Sequence, residues 1–172
     1  MRGVLLTGLL GVLVATAAPA KEFVATESDF RCLLHGKRVE GHTFVLFNRN
    51  HGRLRKAVHL ARKGTPGKQY PVGTIVQLFP FEAMVKRGGG FNPDGDGWEF
   101  FQLSVTPRGT QIVARGGAEV ANGIGSCQGC HQNFAAQFDL ICEFVIGSSG
   151  LGLTDEQVRA AQNADLRCPP AP

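Results

Sequence analysis

The chain has 172 residues, with 18 Lys and Arg against 14 Asp and Glu and a formal net charge of +4. That length suffices for one domain with a real core. That positive balance is mild; the basic residues concentrate in Arg53–Lys68, a candidate nucleic-acid patch, but an exported protein seldom meets nucleic acid, so no nucleic-acid partner is expected.

Met1-Arg2 is a short positive start, and the run from Gly3 to Ala17 is apolar and uncharged. Ala18-Pro19-Ala20 has the small residues of a cleavage site, and Lys21 opens a polar segment. This predicts a secretory signal peptide over residues 1–20 and a mature protein that is exported, in a periplasm or equivalent compartment. A membrane anchor is the weaker reading, because the run falls short of the roughly 18 to 20 apolar residues of a spanning helix. No later segment reads as a span, so no membrane association is expected after cleavage.

Twenty-three glycines and nine prolines punctuate the remainder, residues 21–172, into short segments of one expected domain. Strands are predicted for His42–Asn48, Gly73–Phe79, Gly97–Ser104 and Thr110–Arg115, which are rich in β-branched and aromatic residues. Thr106-Pro107-Arg108-Gly109 reads as the turn of a hairpin joining the last two. Arg87–Gly97, with three consecutive glycines, reads as a loop, since no Lys-Ser/Thr follows to make a phosphate cradle. Helices are predicted for Asn50–Lys63, for Cys127 to about Phe144, and for Thr154 to about Asn163. The first carries the basic stretch Arg53–Lys68 as a solvated face, with docking of an acidic redox partner as the lesser reading. The second has Phe134, Phe138 and Cys142 at a spacing of four, predicting one apolar face. The third opens on Thr154 with Gln157 three residues on, a capping-box pattern. Together these predict an α+β fold dominated by antiparallel sheet, with a C-terminal tail from about residue 147.

Five cysteines make an odd count. With Cys127 and Cys130 used together, one disulfide and one free thiol is the simplest arrangement in an oxidising compartment. The expected disulfide is Cys142–Cys168, which would pin the tail; Cys32 with either partner stays open, because spacing does not fix connectivity.

The most informative stretch is Ser126–Phe134, "SCQGCHQNF". C-x-x-C-H in an exported protein is the attachment signature of a c-type haem. Residues three apart share one side of a helical turn, so the thiols of Cys127 and Cys130 can reach the two vinyl groups of one porphyrin edge. The imidazole of His131 then comes beneath the ring as axial ligand. A redox dithiol would expect a βαβ setting, whereas strands in a meander precede this motif. A structural zinc site would need two more ligands at a usual spacing, and no histidine follows His131. No methionine follows Met84 to serve as the sixth ligand of an ordinary electron carrier, and an all-helical bundle does not match the strands.

The segments Met84–Leu103, "MVKRGGGFNPDGDGWEFFQL", and Gly123–Cys142, "GIGSCQGCHQNFAAQFDLIC", resemble the cytochrome P-460 family, which includes hydroxylamine-oxidising cytochromes and the cytochromes c-prime-beta. The resemblance runs from about Thr43 to Cys142. It implies a mostly antiparallel β fold with a late haem helix, one covalently bound haem c, a frequent homodimer, and His131 as proximal ligand. It also implies an open or weakly ligated distal side that binds small nitrogen species. In the enzymes of the family, a lysine upstream of the motif is joined to the porphyrin. The corresponding strand here, Gly73–Phe79, has no lysine; Leu78 stands in its place, and Lys68 and Lys86 only flank the region. This points towards the c-prime-beta type, whose distal site is capped by phenylalanine, with Phe44, Phe47, Phe79 and Phe81 as candidates.

Three functions follow as expectations: binding of NO or a similar small ligand, oxidation of hydroxylamine or NO, and simple electron transfer with a redox partner protein. Candidate sixth ligands are His35, His42, His51, His59 and Met84, although surface histidine and core methionine are their ordinary roles. Glu82 and Glu99 are candidate proton relays. Glu99 alternates with Trp98 and Phe100, so with those two in the core it is expected to face solvent.

Overall fold

Six strands pair in chain order as one antiparallel sheet: β1 (Lys37–Arg38), β2 (Val45–Phe47), β3 (Ile75–Gln77), β4 (Glu82–Lys86), β5 (Trp98–Thr106) and β6 (Gly109–Gly116). The computed structural model describes residues 21–88 and 90–169. The expected signal peptide lies outside them. The architecture is the expected α+β class with a mainly antiparallel sheet. The β5–β6 hairpin turns where expected, with Thr106 opposite Gly109, and its strands run further than their sequence cores. β2 and β3 are shorter than expected, and β4 was not anticipated as a strand. A small ribbon, β7 (Ala121–Asn122) with β8 (Gly125–Ser126), leads into the C-x-x-C-H motif.

Alternation along these strands sends side chains to two faces, and both are buried. One face carries Phe44, Leu46, Val76, Met84, Trp98 and Phe100. Against it packs α1 (His51–Lys63), through Ala57, Val58 and Ala61. The Asn50 side chain accepts from the Arg53 N–H at 3.0 Å to start this helix, and Gly64, at φ 52°, ends it in the left-handed region. Its cations Arg53, Arg55, Lys56, Arg62 and Lys63 are exposed, as a solvated face requires.

The opposite face carries Val45, Phe47, Ile75, Val85, Phe101 and Leu103, and residues 21–36 cover it with Ala25, Phe30 and Leu33. This cover corrects the expectation for Glu99. Its side chain does point away from Trp98 and Phe100, but into a second core, where it is 2% exposed. Arg115 meets it with two bonds of 2.7 and 2.9 Å, and Arg87 approaches to 3.5 Å. A buried carboxylate needs such partners.

The disulfide is Cys32–Cys168, not Cys142–Cys168. The tail returns to the N-terminal cover, where Asp165 accepts the Leu33 N–H at 2.8 Å and Arg167 donates to the Phe30 carbonyl at 3.1 Å. These bonds set Cys168 beside Cys32. Cys142 is a free thiol. In the tail, α4 (Asp155–Asn163) begins on the expected capping box of Thr154 and Gln157. Its Gln162, fully buried, donates to the carbonyls of Thr43 and Leu78.

The expected long helix from Cys127 is broken. It runs as α2 (Cys127–Ala135) and a 3₁₀ turn (Ala136–Phe138), and a short α3 (Glu143–Ile146) follows. Between them Asp139 and Leu140 adopt φ of 52° and 63°. Two successive left-handed residues cannot continue a right-handed helix. The expected apolar face is lost with it: Phe134 is 49% exposed.

Candidate functional site

A cavity of about 160 Å³ opens between the α1-side face of the sheet and the segment from β8 to α3. Cys127, Cys130 and His131 all line it. Its walls are mostly apolar: Phe44, Val76, Leu78, Phe79, Met84, Phe100 and Ile141. Thr43, Glu82, Asn122, Ser126 and Glu143 add polar side chains to the lining.

The local fold explains how the motif is aimed. Ser126 caps α2, its hydroxyl accepting from the Gly129 N–H at 3.3 Å. The glycine-rich loop holds the helix from outside. Asn92 donates to the Trp98 carbonyl at 2.8 Å and to the Gln128 side chain at 2.9 Å, and Gln132 donates to the Asp94 carbonyl. Gln128, between the two cysteines, is thereby buried and satisfied. At its start the loop packs against the turn before β3: at Gly88, φ is 70° and a Cβ would fall 2.4 Å from Val72 Cγ2.

His131 is set as a ligand would be. The Leu140 carbonyl, an acceptor only, lies 2.6 Å from Nδ1, so Nδ1 carries the hydrogen and donates. The lone pair of the neutral ring is then on Nε2. Burial pushes the His131 pKa below the ordinary histidine value, which keeps the ring neutral, against the smaller opposing effects of the Leu140 carbonyl and Glu82. Phe100 meets the ring at 5.3 Å between centroids, tilted by 61°.

The thiols differ in environment. Burial raises the Cys127 pKa, and the nearby Glu82 charge adds to it. Cys142, free and lining the same cavity, is pushed up to about 12, first by burial and then by the neighbouring Cys130. Cys127 and Cys142 are therefore protonated at neutral pH.

Of the expected distal phenylalanines, Phe44 and Phe79 line the cavity. Phe81 stands outside it, 51% exposed and stacked on Phe79 at 5.3 Å. Phe47 is removed altogether: one residue out of phase with Leu46, it belongs to the opposite core. Leu78 lines the cavity, and no lysine does among the described residues. Lys68 is exposed, and Lys86 is held in a buried ion pair with Asp139 at 2.5 Å. Of the candidate sixth ligands, His35, His51 and His59 are exposed. His42 is half-buried, with Nδ1 3.6 Å from Glu143, and only Met84 lines the cavity. Glu82 is in the cavity wall, where Asn122 donates to it at 2.9 Å; Glu99 is in the other core.

The residues fit covalent haem attachment by their chemistry: two reduced thiols on one helical turn, a neutral imidazole with its outer nitrogen bonded, and an apolar wall. No cluster of three or more His, Cys, Asp or Glu suited to a metal ion occurs among the described residues, and structural zinc requires four ligands. No helix among them is long and apolar enough to cross a membrane. Compared with family models, with curated proteins and with solved structures, the chain matches none.

Proposed function

We propose that this chain is an exported mono-haem c-type cytochrome that takes a small ligand, NO or a similar diatomic, at its iron. Cys127 and Cys130 would hold the porphyrin as thioethers, and His131 would ligate its iron through Nε2. When bound, the haem supplies an iron centre that binds diatomic ligands and passes electrons. The chain supplies a fixed imidazole, a largely apolar wall that favours apolar gases over polar ligands, and Phe44 and Phe79 as a distal cap. The resemblance to the cytochrome P-460 family, on the c-prime-beta side, agrees with this division of labour.

The single observation that carries the reading is the bond from His131 Nδ1 to the Leu140 carbonyl, beside two free thiols in one cavity. That bond fixes the tautomer of an imidazole that lines the cavity and leaves the ring's lone pair on Nε2, the nitrogen that could ligate a metal.

Glu82 favours a second reading, as an oxidoreductase of hydroxylamine or NO. A carboxylate in the cavity wall, held by Asn122, is placed to accept or return a proton at a bound ligand. The absence of a cavity lysine among the described residues weighs against the hydroxylamine chemistry that the family associates with a crosslink.

The test is peptide mass spectrometry of protein co-expressed with a haem c assembly system. A haem adduct on the peptide containing Cys127 and Cys130 is expected. An unmodified peptide from protein that is folded and exported would overturn the proposal.

A further inference from the structure

The carbonyl that holds His131 is itself held in an unusual way. It belongs to Leu140, the second of two successive left-handed, non-glycine residues, in a turn closed by two backbone bonds, from the Leu140 N–H to the Ala135 carbonyl at 3.0 Å and from the Ile141 N–H to the Phe138 carbonyl at 3.2 Å. Such backbone persists only where the surroundings over-determine it. The surroundings here are Asp139 and Lys86. Lys86 Nζ lies 2.5 Å from Asp139 Oδ1, with the two side chains 4% and 1% exposed. The other carboxylate oxygen accepts the Tyr70 N–H at 2.6 Å. The Lys86 ammonium sits 5.2 Å from the centre of the Trp98 ring, which closes the remaining side.

This arrangement is poorly explained by stability. A buried ion pair costs about as much desolvation as it returns, and apolar residues of similar volume commonly serve the fold as well or better. What the pair does achieve is direction. Lys86 is the last residue of β4, in register with Trp98 on β5, so it is part of the rigid centre of the sheet. Through Asp139 it fixes the turn, and through the Leu140 carbonyl the turn fixes His131.

We infer that Lys86 and Asp139 form a positioning device for the axial histidine: a strut from the sheet that holds the Leu140 carbonyl against His131 Nδ1. This rests on the reading of His131 as the iron ligand and extends it. The strut keeps the Nδ1 hydrogen bond short, which makes the imidazole a stronger donor at Nε2. It also engages Lys86 with Asp139 inside the protein, away from the residues that line the cavity.

The test compares the haem-loaded wild-type chain with Lys86→Met/Asp139→Asn. This double variant removes both charges, nearly preserves volume, and keeps an acceptor for Tyr70 and a residue tolerant of the left-handed turn. Resonance Raman scattering reads the ferrous iron–histidine stretch. The inference predicts a downward shift of that band and a more positive midpoint potential, with the apo-protein's urea midpoint unchanged or higher. Lys86→Arg, which keeps the charge, is expected to keep the wild-type band. Should the Met/Asn chain fail to mature, Lys86→Leu/Asp139→Asn, which keeps the acceptor for Tyr70 and the turn-tolerant residue, carries the same comparison. An unchanged band and potential in a folded, haem-loaded double variant would overturn the strut alone. A wild-type chain without haem, or without a histidine-ligated iron, would overturn the underlying reading and the strut with it.

Discussion

Replacing Cys32 and Cys168 together by serine tests both the disulfide and the way the tail is tied down. The bridge spans a sequence separation of 136, nearly all of the described chain. In the loop-entropy account a closed loop of that size destabilises the unfolded state by about 5 kcal/mol, and losses measured for native bridges fall at about 2–5 kcal/mol. With a urea slope of roughly 2 kcal/mol per molar for a chain of this size, the midpoint should fall by about 1 to 2.5 M. The assay is equilibrium urea unfolding followed by Trp98 fluorescence, on wild type, Cys32→Ser/Cys168→Ser and Cys142→Ser. Cys142→Ser should cost far less, since it removes only a half-buried thiol from the cavity wall. A loss for Cys142→Ser as large as that for Cys32→Ser/Cys168→Ser would refute the reasoning, because both variants would then be breaking one and the same bridge, Cys142–Cys168.

Glu82→Gln in the apo-protein should lower the Cys127 thiol pKa while leaving it above the ordinary value, because burial is the larger cause; alkylation rate against pH reads this. The Asp165 carboxyl is held below 3.8: burial works against this, but the bonds from Arg167 and the Leu33 N–H outweigh it. A depressed carboxylate contributes stability that is present above the unfolded-state pKa and lost as pH falls through the lower folded one. Wild type should therefore exceed Asp165→Asn in stability at pH 6, and the gap should close as pH falls below the ordinary carboxylate range in denaturant titrations. Phe44→Ala removes a side chain that is 2% exposed and should cost about 3–5 kcal/mol in the same titrations. If Phe44 caps the distal side, it should also speed NO association to the loaded protein in stopped-flow traces.

The motif and the hairpin were legible because their signals are local. C-x-x-C-H carries its own geometry on one helical turn, and the β5–β6 turn is written in four adjacent residues. What escaped depended on distant contacts. β4 was hidden because Glu82 and Lys86 bracket it, and both look like surface residues. Their partners, Asn122 and Asp139, lie far along the chain. Glu99 was misplaced for the same kind of reason: alternation gave its direction correctly, but not the N-terminal cover that buries it. Phe47 was misassigned because a list of phenylalanines ignores strand phase, which the expected strand itself could have supplied. The break after α2 had a weak signal in Asp139, a residue that tolerates left-handed backbone. The periodicity of Phe134, Phe138 and Cys142 spoke against it. Cys32–Cys168 had none, since its pairing follows from where the tail crosses the N-terminal segment.

The most direct test of the central claim is the optical spectrum of the purified, reduced protein, with and without NO. A c-type haem bound through Cys127 and Cys130 and ligated by His131 alone predicts a high-spin, five-coordinate ferrous spectrum that changes on adding NO. Six-coordinate low-spin bands indifferent to NO would contradict it and point to an electron carrier, with Met84 as the sixth ligand to test. A strongly red-shifted Soret band would contradict it differently, by revealing a lysine crosslink that the Leu78 wall and the Lys86–Asp139 pair argue against.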